Sequence, residues 1–382
     1  MKIAYCIPSL YIPGGMERVL TIKANYFADI LGYEIYIILT DEKEKEPYYK
    51  LSSKINIINL DINFNQLWDK PLHKKTILYF QKQNIYKKKL TECLNQIKPD
   101  FTVSMLRREI NFINSIHDGS IKIGEMHVSK ANFRDLKEEQ DTSLVKKIIA
   151  YFWMKQLTNE LKKLSKFVVL SHEDEDKWTE LKNVCVIHDP LSFFPDKVSD
   201  CNNRQVIAVG RYVHQKGFDI LINSWSLINK KHPEWILRIY GEGRMKPELE
   251  ELIRSFNLSD SCILEPTVSN ISEKYSESSI FVLSSRFEGF GMVITEAMAC
   301  GVPAVSFACP CGPKDIISEG IDGLLVECEN GVELADKICY LIENIETRKE
   351  MGKQARINVE RFKMENIANQ WKELFESLCK YK

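Results

Sequence analysis

The sequence lacks an apolar run of membrane-spanning length, and it lacks an excess of charge of either sign. No stretch approaches the ~18 apolar residues that a membrane-spanning helix requires. The opening segment, Met1 to Pro8, is too short and too soon interrupted by proline to be the core of a signal peptide. The formal net charge is −1, whereas nucleic-acid-binding domains carry a clear excess of lysine and arginine. We therefore expect a protein on the cytoplasmic side, without a nucleic-acid partner.

The sequence also lacks the cysteine spacing of a zinc site or a disulfide framework, although it contains 11 cysteines. Cys309 and Cys311 form the only close pair, and no C-x2-C motif or Cys/His partner lies nearby in the sequence. Cys6 and Cys185 occur in apolar, strand-like segments and Cys339 occurs in a helical pattern, as buried free thiols do. We expect all 11 to be reduced, and we expect no metal site.

A chain of 382 residues exceeds the size at which one hydrophobic core stops growing, so two domains are the default. Apolar strand-like runs alternate with helical patterns in both halves, which indicates an α/β fold with parallel, doubly wound sheets. The predicted strands are 2–10, 33–39, 101–105, 121–125 and 167–170 in the first half, then 205–210, 235–240, 262–265, 280–283 and 304–307. We predict Rossmann-like domains over 1–188 and 189–363. The helix over 218–228 should bury one face, comprising Phe218, Leu221, Ile222, Trp225 and Ile228.

Two glutamates with seven residues between them, Glu288 and Glu296, lie in the most informative stretch of the sequence, 287–297. The apolar run 280–283 predicts a strand before this stretch, and the segment after it predicts a helix that ends near Gly301. Glu288 is therefore expected in the turn at the carboxyl end of a strand, and Glu296 inside the helix. Open α/β sheets bind their ligands at this edge.

The turn between these carboxylates contains Gly289, Phe290 and Gly291. Its glycines allow a ligand to approach the N–H groups at the start of the helix, which suit an anion such as a diphosphate. Carboxylates beside a diphosphate should point to neutral hydroxyls. A sugar and a ribose would supply such hydroxyls.

A second polar loop follows the predicted strand 205–210 and contains two fixed cations, Arg211 and Lys216. An arginine fork and a lysine point charge are suited to a diphosphate leaving group, because negative charge builds on its bridging oxygen as the bond breaks. On these residues alone, a loop with two solvated cations remains the alternative.

The segment Glu-Gly-Phe-Gly followed by Glu-Ala-Met-Ala-Cys-Gly-Val-Pro resembles the E-x7-E signature of the GT4 family of retaining glycosyltransferases, which have the GT-B fold. Arg211 and Lys216 match the cations of that family's Gly-Arg-x4-Lys-Gly motif. The resemblance implies two Rossmann-like domains that face a cleft, with the acceptor on the first domain and a nucleotide diphosphate sugar mainly on the second. It also implies that a last helix, 364–380, packs back on the first domain.

The resemblance further implies that Glu288 binds donor-sugar hydroxyls, that Glu296 binds the ribose, and that Arg211 and Lys216 stabilise the departing diphosphate without a metal ion. His127 matches a histidine placed against the donor sugar, although a lone histidine is usually structural. No role is carried onto His188 and Asp189, where the family usually has Asn-Pro. The other expected donor contacts are Gly14, Gly15, Gly289, Phe290, Gly291, Thr267 and Val268.

The resemblance implies a retaining, metal-independent glycosyltransferase without a cofactor, and we expect UDP rather than GDP in its donor. A glycan or polyprenyl-linked acceptor in cell-surface polysaccharide biosynthesis is expected. A GT-B sugar-nucleotide epimerase, a glycogen-type synthase and a non-catalytic GT-B binding protein remain alternatives. An epimerase would need acid/base residues on both sides of the sugar, and these we cannot locate. A nicotinamide dehydrogenase is disfavoured because the first turn lacks G-x-G-x-x-G.

Lysines alternate with aromatic and aliphatic residues between Lys70 and Lys98, in a pattern that indicates a helix. Cations beside apolar side chains suit an anionic membrane surface. We interpret this segment as a peripheral contact at the inner face of the cell membrane. The alternative is a solvated helix whose apolar side packs on the first domain.

Overall fold

Two parallel β-sheets organise the chain in a computed structural model that describes residues 1–67, 69–130 and 144–380, with the backbone alone described at 72, 73 and 144–149. The chain divides into two compact units, each built on one sheet. Unit 1 comprises Met1–Leu170, Asp174–Pro190 and Met364–Lys382. Unit 2 comprises Ser171–Glu173 and Leu191–Lys363.

The sheet of unit 1 has seven parallel strands in the order β3-β2-β1-β4-β5-β6-β7. Buried β-branched and aromatic residues dominate these short strands, as expected for a sheet covered on both faces. The strands are β1 (Lys2–Cys6), β2 (Glu34–Leu39), β3 (Asn56–Asn59), β4 (Phe101–Ser104), β5 (Ile121–Glu125), β6 (Lys166–Val169) and β7 (Val184–Val186).

Helices cover both faces of this sheet. They are α1 (Gly15–Asp29), α2 (Leu72–Ile97), α3 (Leu144–Leu161) and, after the chain has passed through unit 2, α12 (Met364–Cys379). The short α4 (His172–Lys177) begins in unit 2 and ends in unit 1. Helices α1 and α12 share one core with alternate residues of the sheet, including Ile3 and Tyr5. Ala4 and Cys6 point to the opposite face, where they pack with α2. Helix α3 lies on that same face, because it packs on Phe167 and Val169 while the intervening Val168 faces α1 and α12.

The sheet of unit 2 has six parallel strands in the order β10-β9-β8-β11-β12-β13. The strands are β8 (Gln205–Val209), β9 (Ile236–Tyr240), β10 (Cys262–Glu265), β11 (Ile280–Leu283), β12 (Ala304–Phe307) and β13 (Gly323–Val326). The helices are α5 (Phe218–Lys231), α6 (Lys246–Ser255), α7 (Ile271–Ser276), α8 (Met292–Ala299), α9 (Pro313–Ile316), α10 (Gly331–Glu343) and α11 (Ile345–Asn358).

The structure confirms the predicted doubly wound α/β class and the ten predicted strands, each within a few residues of its predicted ends. The five apolar residues expected on one face of α5 are all buried. Two edge strands, β3 and β13, were not predicted, whereas β7 contains Cys185, which the sequence placed in a strand-like segment. Among the helices that the structure describes, none combines the length and apolar character needed to cross a bilayer.

Candidate functional site

Glu288 and Lys216 form an ion pair at the carboxyl edge of the second sheet. Glu288 lies in the turn after β11 and Lys216 in the loop after β8, and these two strands are neighbours. Lys216 Nζ lies 2.7 Å from Glu288 Oε1, and the two side chains are 13% and 8% exposed. Two residues predicted from separate motifs are therefore in direct contact, and any phosphate that binds Lys216 must share it with a carboxylate.

Tight packing against β11 holds the loop that carries Lys216. The next residue, Gly217, has a φ of +61°, and a Cβ there would lie 2.0 Å from the Ser284 carbonyl oxygen. Ser284 Oγ donates to the Lys216 carbonyl at 2.9 Å, and Arg286 N–H donates to the Gln215 carbonyl at 2.8 Å. Only glycine allows this close approach, because other residues would bring both strain and a clash.

The glycine turn after Glu288 is anchored from below by Phe290. Its ring is buried and packs edge-on against Phe362, with ring centroids 5.4 Å apart. Gly291 has a φ of +100° and stands at the N-cap of α8. The Phe290 side chain is thus part of the core of unit 2, which leaves only its backbone for the ligand contact that the sequence predicted.

Glu296 lies within α8, as predicted, and is almost fully buried. Ser192 Oγ donates to one carboxylate oxygen at 2.9 Å, and the Tyr275 hydroxyl donates to the other at 3.3 Å. Sequence reasoning missed both partners, because neither lies in a recognisable motif. A ribose would have to add to, or replace, these hydrogen bonds.

Arg211, Thr267 and Val268 lie in loops at the same edge of the second sheet. Arg211 follows β8, is exposed and has no ion pair with any residue in the described part of the chain. Thr267 and Val268 follow β10, and Thr267 Oγ1 donates to Glu242 Oε1 at 3.1 Å. At this edge, Arg211 is thus an exposed cation, whereas Lys216 is paired with a carboxylate.

In unit 1, the predicted glycine loop lies beside a carboxylate. Gly14 caps α1, Gly15 begins it, and a Cβ on Gly14 would lie 2.1 Å from Glu17 Oε2. Burial raises the pKa of Glu17, while Arg107 and His127 act in the opposite direction. This loop therefore offers a half-buried carboxylate and the start of a helix at the carboxyl edge of the first sheet.

His127 belongs to a buried charged cluster, the Lys23 cluster, made of Lys23, Glu125, His127 and Asp189. Lys23 Nζ is ion-paired with Glu125 Oε1. His127 Nε2 lies 3.1 Å from that same oxygen, and His127 Nδ1 lies 3.6 Å from Asp189 Oδ1. Both ring nitrogens of His127 thus face carboxylates of unit 1.

The two carboxyls of the Lys23 cluster have opposite protonation preferences. Burial alone would raise the pKa of Glu125, but attraction to Lys23 and His127 brings it down to about 2. Burial raises the pKa of Asp189 to about 6, and the attraction of His127 only partly opposes this. No role was predicted for Asp189 from the sequence. Lys23 and Glu125 lie in no motif from which the cluster could have been predicted.

A strained turn after β4 presents Arg107, another residue that sequence reasoning missed. Leu106 has a φ of +51°, which is uncommon for a bulky residue and costs of the order of 1–3 kcal/mol. Buried Glu109 Oε1 holds the turn by accepting from Ser104 Oγ at 2.7 Å and from Arg107 N–H at 3.0 Å. Arg107 itself is exposed, and its guanidinium lies 3.7 Å from Met16 Sδ near the start of α1.

Residues 192–358 match the family model for glycosyl transferases group 1. An uncharacterized glycosyltransferase from Haemophilus influenzae is 27% identical over 97% of this chain and 99% of its own length. The amylovoran biosynthesis glycosyltransferase AmsD of Erwinia amylovora is 33% identical over 55% of this chain and 61% of its own length. An N-acetyl-D-galactosaminyltransferase from Campylobacter jejuni, named for a diNAcBac-PP-undecaprenol-linked substrate, is 25% identical over 98% of each chain.

Solved structures of glycosyltransferases share the fold over almost the whole chain. A sucrose-phosphate synthase from Thermosynechococcus elongatus superposes with a TM-score of 0.82, at 18% identity and full coverage of both chains (100%). A TarM variant from S. aureus, in complex with UDP and α-GlcNAc-glycerol, superposes with a TM-score of 0.76 at 18% identity, covering 98% of this chain and 99% of its own. The fold is therefore GT-B, as the resemblance implied.

Proposed function

Since this chain is a GT-B glycosyltransferase with a glycosyl transferases group 1 domain at residues 192–358, we propose that it transfers a sugar from a UDP-sugar with retention of configuration. This transfer would serve glycan or polysaccharide biosynthesis, in line with the names of the relatives AmsD and the Campylobacter jejuni enzyme. The observation that carries the proposal is the Lys216–Glu288 ion pair at 2.7 Å, which joins the family's two donor motifs at one sheet edge.

In this reaction, the bond between the anomeric carbon and the diphosphate oxygen breaks, and a bond to an acceptor hydroxyl oxygen forms. Negative charge grows on the departing diphosphate, where Lys216 and Arg211 would stabilise it in place of a metal ion. The acceptor proton would pass to a phosphate oxygen on the same face of the sugar, so that UDP leaves and the configuration is retained. Glu288 would bind donor-sugar hydroxyls while it holds Lys216 in position.

The remaining donor contacts follow from the same edge of unit 2. We assign the ribose to Glu296, the base to the backbone of Thr267 and Val268, and the phosphates to the glycine turn. UDP is preferred over GDP because the similar TarM structure holds UDP. His127 remains a proposed sugar contact. Its Nδ1 atom lies 3.6 Å from Asp189, which is longer than a hydrogen bond, and a sugar hydroxyl would replace this contact.

We assign the acceptor to unit 1 and propose a glycan or polyprenyl-linked sugar, presented at the cytoplasmic face of the membrane. The name of the similar Campylobacter jejuni enzyme includes an undecaprenol-linked glycan, which supports a lipid carrier. The exposed Arg107 near the Gly14–Gly15 loop is suited to a phosphate of such a carrier.

The test incubates the full chain with a panel of UDP- and GDP-sugars and follows slow donor hydrolysis, then records the configuration of the released or transferred sugar by NMR. We expect hydrolysis of a UDP-sugar with retention, undiminished by EDTA. Lys216→Met should abolish it, whereas Lys274→Met, in a half-buried ion pair of the same unit, should not. An inverted product, loss of activity in EDTA that Mg²⁺ restores, or an active Lys216→Met would contradict the proposal. Epimerised donor without hydrolysis would indicate the epimerase instead.

A further inference from the structure

An apolar surface with cationic neighbours covers the outer side of α2. Ile77 and Phe80 are 60% and 63% exposed, and Ile85 is 49% exposed. Exposed Lys74, Lys87 and Lys88 lie among them. The inner side of α2 is already used, because Tyr86, Leu90 and Leu94 pack into the core of unit 1. The exposed residues are thus additional to those that hold the helix in place.

Two lysines of the same helix have structural roles and do not belong to this surface. Lys89 Nζ donates to the Leu60 carbonyl at 2.6 Å, and Lys82 Nζ donates to the Ile62 carbonyl. Both therefore fix the preceding loop against α2. The composition of the segment 70–98 could not separate these lysines from the exposed ones.

Helix α3 carries a second exposed apolar group, in which Tyr151, Phe152 and Trp153 are 63%, 60% and 48% exposed. Its inner side is defined by Leu157 and Leu161, which pack into the core. Phe152 lies nine residues from Leu161 and so projects from the opposite side of the helix. Three consecutive aromatic residues in contact with water are costly, which indicates an interaction site.

The two exposed groups project from the same face of unit 1. Helices α2 and α3 both pack on the face of the sheet opposite α1 and α12. They also contact the two ends of one segment, since Gln83 Nε2 donates to the Arg108 carbonyl at 3.3 Å and Asn114 Nδ2 donates to the Glu160 carbonyl at 3.0 Å. Because both helices cover the same face of the sheet, we treat their exposed side chains as one surface, here called the α2–α3 surface: Lys74, Ile77, Phe80, Ile85, Lys87, Lys88, Tyr151, Phe152, Trp153 and Lys155.

Charge identifies the partner of this surface. Residues 72–91 of α2 and 144–159 of α3 contain lysines but no aspartate or glutamate. Tyrosine and tryptophan favour the boundary between lipid and water, and lysines favour anionic head groups. We propose that the α2–α3 surface binds the face of an anionic lipid bilayer, with the aromatic side chains of α3 inserted among the head groups. This inference deepens the proposed lipid-linked acceptor and rests on it for its biological purpose, but its test does not depend on catalysis.

The test is flotation of the full chain with vesicles of phosphatidylcholine alone or mixed with phosphatidylglycerol, at low and high salt. We expect binding to the anionic vesicles that weakens at high salt. Phe152→Ser combined with Trp153→Ser, and separately Lys87→Glu combined with Lys88→Glu, should each lower the partition coefficient at least about tenfold. Ile30→Ser and Lys353→Glu, exposed residues outside the surface, should leave it unchanged.

A second measurement locates the contact within the surface. Of the five tryptophans that the structure describes, Trp153 is exposed, whereas Trp178, Trp225, Trp235 and Trp371 are buried. Brominated lipids should therefore quench part of the tryptophan fluorescence, and Trp153→Phe should remove most of that quenching.

Three outcomes would overturn the proposal: no flotation with anionic vesicles, equal loss in the control variants, or a surface variant that changes the oligomeric state instead of vesicle binding. The last outcome would make the surface an interface between proteins. UDP-sugar hydrolysis is followed in the same variants and should stay at the wild-type rate. If flotation fails while hydrolysis persists, only the membrane inference fails, and the converse result contradicts only the proposed activity.

Discussion

At the scale of single residues, this protein holds its charged side chains in pairs inside each unit. Lys216 is paired with Glu288 in unit 2, and Lys23 is paired with Glu125 in unit 1. Pairing keeps a side chain ordered before a ligand arrives, and preorganised charge is what stabilises a developing anion. It also means that a ligand group must compete with the existing partner. Arg211, which is exposed, does not have that constraint.

The first prediction separates the proposed roles of Glu288 and Glu296. Glu288→Gln should lower the turnover of donor hydrolysis by about 10²–10³, because it removes contacts that strengthen as charge separates. Glu296→Gln should mainly raise the donor KM, since ribose binding is the same in the ground and transition states. Steady-state kinetics over a range of donor concentrations distinguish the two effects. Near-native turnover in Glu288→Gln, or an unchanged KM in Glu296→Gln, would remove the corresponding assignment.

The second prediction concerns the Lys23–Glu125 pair, in which both side chains are buried. Glu125→Gln should lower the free energy of unfolding by about 3–5 kcal/mol at pH 7, because it leaves the Lys23 charge without its partner. The folded-state pKa of Glu125 lies below its ordinary value, so the stabilisation is present above about pH 4.5 and is lost as the pH falls toward 2. Urea unfolding at several pH values measures this. Equal stability of the variant and the wild type at pH 7 would contradict it.

The third prediction concerns Asp189, whose folded-state pKa of about 6 lies above its ordinary value of 3.8. A raised pKa contributes stability at low pH that is lost as the pH rises through about 6. Asp189→Asn keeps a neutral side chain at every pH, so the variant should gain stability relative to the wild type as the pH rises from about 4 to about 6. The difference between the two unfolding free energies isolates Asp189 from other titrating groups. A difference that does not change with pH would show that the carboxyl is charged throughout.

At the scale of elements, backbone contacts between neighbouring loops position the proposed donor site. The loop after β8 can hold Lys216 in its observed position because the next residue, Gly217, lies directly against the carbonyl of Ser284, which follows β11. The turn after β11 keeps its shape through buried Phe290. Gly217 and Phe290 therefore support the proposed site without offering a side chain to a ligand.

The fourth prediction tests that close approach. Gly217→Ala and Gly320→Ala both place alanine at positive φ, +61° and +76°, but only Gly217 has atoms within 4 Å of the added Cβ. Gly320→Ala should cost about 1–2 kcal/mol of stability from strain alone and leave donor hydrolysis intact. Gly217→Ala should cost more and should also lower hydrolysis, because Lys216 must move. Urea unfolding and donor-hydrolysis assays should therefore show a larger loss in Gly217→Ala than in Gly320→Ala. Equal losses with full activity would refute the steric argument.

At the scale of the whole molecule, the last segment of unit 1 follows unit 2 in the chain. Helix α12 returns to unit 1, where Ile367, Trp371 and Phe375 enter the core beside α1. Lys23 of the buried cluster lies over the Trp371 ring, with its nitrogen 4.3 Å from the centroid. The last helix therefore contributes both to the core and to the surroundings of His127.

The fifth prediction follows from that arrangement. Trp371→Ala should lower the unfolding free energy by about 3–5 kcal/mol, because it leaves a large cavity in the core of unit 1. Trp153→Ala, in which the side chain is 48% exposed, should change it little. Calorimetry of the full chain should show the loss in Trp371→Ala. A similar small effect for both tryptophans would mean that α12 contributes little to unit 1.

The amino-acid sequence by itself determined the α/β class, most strands and the donor motifs, because apolar periodicity and glycine turns are local properties. Lys216 and Glu288 were both predicted in this way. Their mutual contact was decided by the strand order, which places β8 beside β11. The 70 residues between these two strands in the chain include two other strands, β9 and β10.

The tertiary structure alone decided which polar residues are available to a ligand. His127 matched a motif, but its surroundings come from α1, β5 and the segment after β7, which no local pattern connects. Likewise, composition could not separate Lys82 and Lys89, which bind backbone carbonyls, from the exposed lysines of the α2–α3 surface. Burial and partnership depend on residues distant in sequence, and for this reason the fold could be predicted further than the site.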